Sequence, residues 1–228
     1  MIKRWIKRCS RVFLNKSKLK QRLRELDVYN TSFVAVDLEL TSLNPLTTQI
    51  TSVGYVSGKG GRINLSSSGY HVINTMADLG QSPVIHGLTQ DILQKGEDLV
   101  EALHVCTPSF KQQVLVFHNA KLDLMALNKA FKQCSLPKMD VVYIDTLQLA
   151  LYQLNKEHQV LPSNSATLGV CRQRLELPSF NEHNALDDAL ATLQLFFAQL
   201  TELGVTKDAK LDCLLHTGAV GHTELGNE

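Results

Sequence analysis

Asp37 and Glu39 stand one residue apart at the end of an apolar run, Phe33-Val34-Ala35-Val36. In an extended strand, side chains alternate with period two and each residue rises about 3.3 Å. The two carboxylates therefore share a face, about 6.6 Å apart along the backbone, while Leu38 points to the other side. Carboxylates that close repel each other, and one tends to keep a proton unless a cation lies between them. Two readings follow from this segment alone. Either the strand leaves the core into water and both acids are solvated, or the pair is set to hold a cation.

Two further segments carry chemistry-bearing residues. In "FHNAKLD", His118 and Asn119 follow an apolar strand and Asp123 falls in the first turn of the next helix. Asn119 could serve only as an N-cap, and Asp123 only as a favourable charge at a helix N-terminus. In "HNALDDALAT", His183 precedes a helix with the apolar stripe Leu186, Ala189, Leu190, Leu193, Phe197 and Leu200. Asp187 and Asp188 lie near its start, where dipole and capping chemistry would also suit them, and helical periodicity does not choose between them. The three segments together offer four carboxylates and an imidazole at strand ends and helix starts, where sheet proteins build their sites. Carboxylate oxygens suit Mg²⁺ or Mn²⁺. Two such ions roughly 3.5–4 Å apart can clamp a phosphodiester during in-line attack by water.

The elements that must position these residues are legible as alternations of period. Strands are expected over 33–40, 49–56 and 61–65, the last two joined by a hairpin at Gly58-Lys59-Gly60-Gly61. "VLVFHN" (114–119) and "VVYI" (141–144) are apolar strands that switch into helical patterns, with Asp145 placed to cap the helix of 146–154. Helices near 165–176 and 184–203 complete a body expected to be an α/β mixed sheet covered by helices. Residues 2 to about 24 follow a helical pattern with Ile2, Trp5, Ile6, Cys9, Val12 and Phe13 on one face. The expected division is a basic amphipathic extension (1–30), a main domain (31–205) and a loose C-terminal tail (206–228).

The chain has 228 residues, is 44% hydrophobic and carries a formal charge of +1. That balance hides an asymmetry. Residues 1–30 hold ten Lys or Arg against two acids, and the remainder holds thirteen against twenty. A basic arm on an acidic body suggests contact with a polyanion or a membrane surface. Five scattered cysteines without a C-x-x-C pair suggest neither a disulfide framework nor a zinc ribbon, in keeping with a reducing cytoplasm. No apolar run approaches the roughly 20 residues needed to span a bilayer, and the N-terminus lacks the apolar stretch of a signal peptide.

With these motifs in order, the chain resembles the DEDDh-type 3′–5′ exonucleases, the family of the epsilon proofreading subunit of bacterial DNA polymerase III. Asp37-Leu38-Glu39 matches the first motif, His118-Asn119 through Asp123 the second, and His183 with four residues before Asp188 the third. The last spacing selects Asp188 over Asp187. "QITSVGYV" with Gly54, "VIHGLTQDIL", "IDTLQLAL" and "TLGVCRQRLELP" resemble accessory segments of the family. The resemblance covers roughly residues 32–200. It implies a ribonuclease H-like exonuclease fold with a five-stranded mixed sheet flanked by helices. It also implies two Mg²⁺ or Mn²⁺ ions: Asp37, Glu39 and Asp188 hold the one that activates water, Asp37 bridges to the second, and Asp123 holds the second. His183 becomes the general base, for which an imidazole reference pKa of about 6.5 is suited. The implied product is a nucleoside 5′-monophosphate released from a 3′ end.

The pattern breaks beside the first motif. Where the family continues Thr-Thr-Gly, this chain has Leu40-Thr41-Ser42, and Gln49 stands where arginine is frequent. Leu40, Thr41, Asn119 and His118 are the substrate-side candidates. Leu40 offers apolar contact to a terminal nucleotide without a side-chain hydrogen bond. His86 and His118 are also expected to hold loops beside the site. The expected partner is nucleic acid with a free 3′ end, DNA before RNA, with a DNA polymerase subunit as a further partner. An RNA 3′-end trimmer and a non-catalytic module that binds nucleic-acid ends or a polymerase are the competing readings. The basic helix could bind a phosphate backbone, lie on an anionic membrane, dock on a partner, or pack on its own domain.

Overall fold

The computed structural model of the protein describes residues 17–42, 44, 47–75, 87–157 and 162–227. A helix over 17–25 (α1) leads into β1 (Ser32–Leu40), β2 (Ile50–Lys59) and β3 (Arg62–Val72). There follow α2 (Gln90–Leu93), α3 (Leu99–Gln112), β4 (Val114–Phe117), α4 (Ala120–Gln133), β5 (Met139–Asp145), α5 (Thr146–Glu157), α6 (Leu168–Arg174) and α7 (Ala185–Glu202). A 3₁₀ helix (Leu211–Thr217) and β6 (Val220–Leu225) close the body. The rest of the expected N-terminal helix, and His86, lie outside the described residues.

The strands form one sheet in the order β3-β2-β1-β4-β5-β6. β1 pairs antiparallel with β2 and parallel with β4; β4 and β5 are parallel, and β5 and β6 antiparallel. The β2–β3 turn is Gly60-Gly61, both at positive φ, as a two-residue hairpin of the favoured twist requires. The sheet has six strands, not the expected five. The tail beyond residue 206, expected to be loose, supplies the sixth: β6 runs along β5 from Val220↔Ile144 to Leu225↔Met139. Its Gly and Glu weaken the local strand preference, and the pairing with β5 overrides this.

β1 separates two cores. Val34, Val36, Leu38 and Leu40 pack with Phe110 of α3 and Leu127 and Phe131 of α4. Phe33 and Ala35 pack on the other face with Leu193, Phe196 and Leu200 of α7, and Leu214 of the 3₁₀ helix. Asp37 and Glu39 continue the Phe33–Ala35 row, so they emerge on the α7 face where the apolar packing ends. Leu38 is buried on the opposite face, as its parity requires.

Candidate active site

Three carboxylates meet where β1 runs out under the start of α7. Ligand-capable oxygens of Asp37, Glu39 and Asp188 all lie within 4.8 Å of one another. Asp187 is not part of this triangle; of the two aspartates, the fold brings Asp188 to the β1 carboxylates. Glu39 is 5% exposed.

Position 54 explains how a helix on a different layer comes so close. Gly54 of β2 is the register partner of Asp37. A Cβ there would stand 2.1–2.3 Å from the backbone of Ala185 and Leu186. The missing side chain is the space into which the N-terminus of α7 settles, and it sets Asp188 opposite β1. α7 starts where it does because Asn184 caps it: its side-chain oxygen accepts from the N–H groups of Leu186 and Asp187, at 3.1 and 3.3 Å.

Asp123, on the first turn of α4, is the fourth acid and is 6% exposed. Burial raises its pKa well above the usual carboxylate range, and Asp145 and Glu39 add to this, while backbone amides including that of Leu38 oppose it. Asp37 is pushed up by burial first, then by Asp123, Asp188 and Glu39 in turn. Asp188 is raised to about 7, by burial and then by Glu39, against the stabilising amide of His183. Burial is the largest cause for all three, neighbouring carboxylates add to it, Asp145 at Asp123 and Glu182 and Asp187 at Asp188 among them, and backbone amides oppose it at Asp123 and Asp188. A cluster that resists ionisation in this way, with hard oxygen donors at ligand spacing, fits a divalent cation such as Mg²⁺ or Mn²⁺.

His183 stands at the mouth of the site. It is exposed, has φ of 70°, and donates its backbone N–H to Asp188 Oδ2 at 2.9 Å. A non-glycine residue at positive φ is uncommon and marks a constrained turn. Here the turn ties the histidine to the carboxylate five residues on.

The substrate-side candidates divide. Leu40 is buried at the β1 irregularity, and Thr41 is knitted to the start of β2: its N–H donates to the Gln49 carbonyl and its hydroxyl accepts from the Gln49 N–H, both at 3.0 Å. Asn119, at φ of 75°, occupies the N-cap position of α4, but the capping oxygen is not its own. Asp145 accepts from the N–H groups of Asn119 and Ala120 at 3.0 and 3.2 Å, and from that of Leu147 at 3.0 Å. One carboxylate therefore caps α4 and α5 together. His118 is turned inward. Its Nδ1 is 2.8 Å from Thr146 Oγ1 and its Nε2 is 3.0 Å from the Ala166 carbonyl, and burial lowers its pKa to about 4. A neutral ring donating from Nε2 satisfies the carbonyl, so His118 fastens β4 to α5 and to the loop before α6.

One neighbour of the site gave no sequence signal. Tyr70 on β3 pairs with Gly54, which places Asp37, Gly54 and Tyr70 in one row across the sheet. Burial raises the Tyr70 phenol, and Glu39 and Asp187 raise it further. An aromatic on an edge strand has no local pattern that marks it as part of a site; only the cross-strand register does.

Comparison with known proteins completes the assignment. A family model described as "Exonuclease" (RNase_T) matches residues 34–196. The DNA polymerase III PolC-type of Thermotoga maritima is 30% identical over 193 residues, 82% of this chain and 13% of that protein. The PolC-type protein of Mycoplasmopsis pulmonis is 29% identical over 189 residues, 81% and 12% respectively. The chain thus spans only a small part of the length of these relatives. Among solved structures, exonuclease X in complex with 5′ overhanging duplex DNA is similar with a TM-score of 0.59 at 20% identity, covering 79% of this chain and 98% of that one. The nuclease domain of 3′hExo, a DEDDh family member bound to rAMP, gives a TM-score of 0.63 at 15% identity, covering 77% and 94%. These two likenesses show the ribonuclease H-like exonuclease fold. The chain belongs to the RNase_T exonuclease family.

Proposed function

We propose that this exonuclease removes nucleoside 5′-monophosphates from the 3′ ends of DNA in proofreading or repair, with two divalent ions. The observation that carries the reading is the carboxylate triangle of Asp37, Glu39 and Asp188, with Asp123 beside it. The preference for DNA is supported by the PolC-type relatives, whose names are those of DNA polymerases. The same likeness supports a DNA polymerase as partner.

Asp37, Glu39 and Asp188 would hold one Mg²⁺ or Mn²⁺, and Asp123 with Asp37 a second. When bound, such ions supply Lewis-acid stabilisation of the phosphoryl oxygens and make water a stronger nucleophile near neutral pH. His183 takes a proton from the attacking water. Its exposure at the mouth of the site leaves the imidazole able to exchange that proton with solvent. Asp188 accepts the His183 N–H, which keeps the base next to the acids. Thr41 and Gln49 brace the end of β1, and Leu40 is buried in the core on the face away from the acids.

The test is release of mononucleotides from matched 3′-labelled DNA and RNA strands, with Mg²⁺ or Mn²⁺ and with chelator. Asp37→Ala should lose several orders of magnitude, since removing a ligand empties the site. His183→Ala should lose about 10²–10⁴-fold, the range for a general base. Near-wild-type rates in either variant would overturn its role. Faster release from RNA would replace the DNA reading with RNA trimming, and no metal-dependent release from either strand would leave a binding module.

A further inference from the structure

Arg172 is 3% exposed, and no carboxylate among the described residues pairs with it. Its two terminal nitrogens instead donate to three neutral acceptors, while the buried Nε has no hydrogen-bond partner among the described residues. Nη1 donates to the Ala191 carbonyl at 2.7 Å, and Nη2 donates to the Pro178 carbonyl and to Gln194 Oε1, each at 2.8 Å. The guanidinium carbon lies 5.0 Å from the centre of the Phe180 ring. Burying a cation without a counter-ion costs several kcal/mol. A methionine or leucine could fill the same volume, so packing alone does not account for an arginine here.

The geometry of the contacts does account for it. Ala191 and Gln194 lie on α7, the first of them three residues beyond Asp188. Pro178 and Phe180 lie in the segment that joins α6 to α7 and carries His183. Arg172 therefore ties the helix that presents a carboxylate to the loop that presents the histidine. A second contact acts on the same loop from the same helix. A Cβ at Gly169 would stand 2.4 Å from Glu182 Oε1, so the carboxylate end of the side chain before His183 reaches the start of α6. Gly169 and Arg172 are three apart and share one face of α6. That face is a bracket that grips the loop at Pro178, Phe180 and Glu182. The far end of the loop is fixed by the His183 N–H to Asp188 and by the Asn184 cap. Between those anchors His183 sits at positive φ on the protein surface, a conformation that persists only where the surroundings enforce it.

We propose that Arg172 is a positioning residue for phosphodiester hydrolysis: through Pro178, Phe180 and Ala191 it holds the His183 loop in register with Asp188. The inference rests on the reading of His183 as the general base. Arg172 touches no substrate in this scheme and acts only through the loop. Lysine replaces it only in part, because an ammonium group lacks the planar fork that reaches acceptors on α7 and on the loop at once.

The experiment is a double-mutant cycle in the full chain, with steady-state kinetics on 3′-labelled DNA. Arg172→Met, Arg172→Lys and Phe180→Ala are each made alone and with His183→Ala. Misplacing a reacting group by about 1 Å can cost about 10²-fold. Arg172→Met should lower kcat by about 30- to 100-fold with KM changed by less than about threefold. In the His183→Ala background the same change should cost less than about threefold, since there is no base left to misplace. Phe180→Ala should lower kcat by about 10-fold with the same non-additivity, and Arg172→Lys should fall between wild type and Arg172→Met. Thermal melts identify any variant that fails to fold. If Arg172→Met is such a case, Phe180→Ala decides, because it leaves the bonds from Arg172 to α7 intact. Equal fold losses with and without His183, or unchanged kcat in folded Arg172→Met and Phe180→Ala, would overturn the inference while leaving the base intact. Wild-type rates in His183→Ala would remove the base assignment first and the inference with it.

Discussion

Asp188 is under opposing demands. The proposed ligation needs it ionised, yet burial and Glu39 hold its pKa at about 7, far above the 3.8 of a free aspartate. The folded protein then binds a proton that the unfolded chain releases. The associated stability is complete below pH 3.8 and is lost as pH rises toward 7. In chelator at pH 8, Asp188→Asn should therefore be more stable than wild type, by on the order of 1–3 kcal/mol after allowing for partial solvent screening. The gap should vanish near pH 4, and saturating Mg²⁺ or Mn²⁺ should reverse it, because only the wild type gains the binding energy. Chemical denaturation at the two pH values, with and without metal, checks this. A wild type as stable as Asp188→Asn in chelator at pH 8 would mean that the carboxyls are not in conflict. His118 has the opposite sign. Its pKa is lowered from 6.5 to about 4, so its contribution is present above pH 6.5 and is lost as pH falls toward 4. For a ring this deeply buried the loss is about 3 kcal/mol. His118→Gln, which keeps a donor for Ala166, should be less sensitive to acid than wild type in the same denaturation series. The two effects offset each other between pH 4 and 6.5, so each shows only as a difference between a variant and wild type.

At the scale of the element, the site depends on how close α7 comes to the sheet. Gly54→Ala would drive a methyl group into the backbone of Ala185 and Leu186, and the helix start would have to move. We expect kcat to fall by about 10²-fold or more, with stability reduced by about 1–3 kcal/mol, as for overpacking elsewhere. Activity assays paired with thermal melts check it; wild-type kcat in a folded Gly54→Ala would show that the approach is not needed. The sequence exposed part of this arrangement. The alternation that places Asp37 and Glu39 together is local, and so are the strand-to-helix switches before Asp123 and after Ile144. The cap by Asp145 on α5 was readable for the same reason. Its cap on α4 was not, because the amides it holds lie 25 and 26 positions away. Arg172 was silent for a like reason: its partners are carbonyls and a ring brought together by folding, and a lone arginine on a short helix has no local signature.

For the whole molecule, the largest departure from the sequence reading is the C-terminal segment. Leu211, Leu214, Ala219 and Leu225 are each no more than 1% exposed, and β6 covers the outer edge of β5. A pattern search sees Gly, Thr and His there and infers a loose end; the pairing partner, some eighty positions earlier, is what makes it a strand. Deleting residues 206–228 should therefore yield protein that is largely insoluble or melts far below the full chain, because β5 becomes an open edge over an uncovered core. Soluble yield and a circular-dichroism melt decide this; an equally stable truncated protein would return the segment to the status of a tail. The same strand has a bearing on architecture beyond stability. β1 begins at Ser32, one residue before the Phe33↔Val114 pair with β4, and β6 ends at Leu225 beside Met139, the first residue of β5. The polypeptide thus enters and leaves the sheet on the same border, roughly 14 Å apart at three inter-strand spacings, and the acids lie at the opposite border. Chain that continues past β6 therefore starts on the border away from the acids. A body whose chain leaves its sheet on that border keeps the carboxylates clear of its own exit.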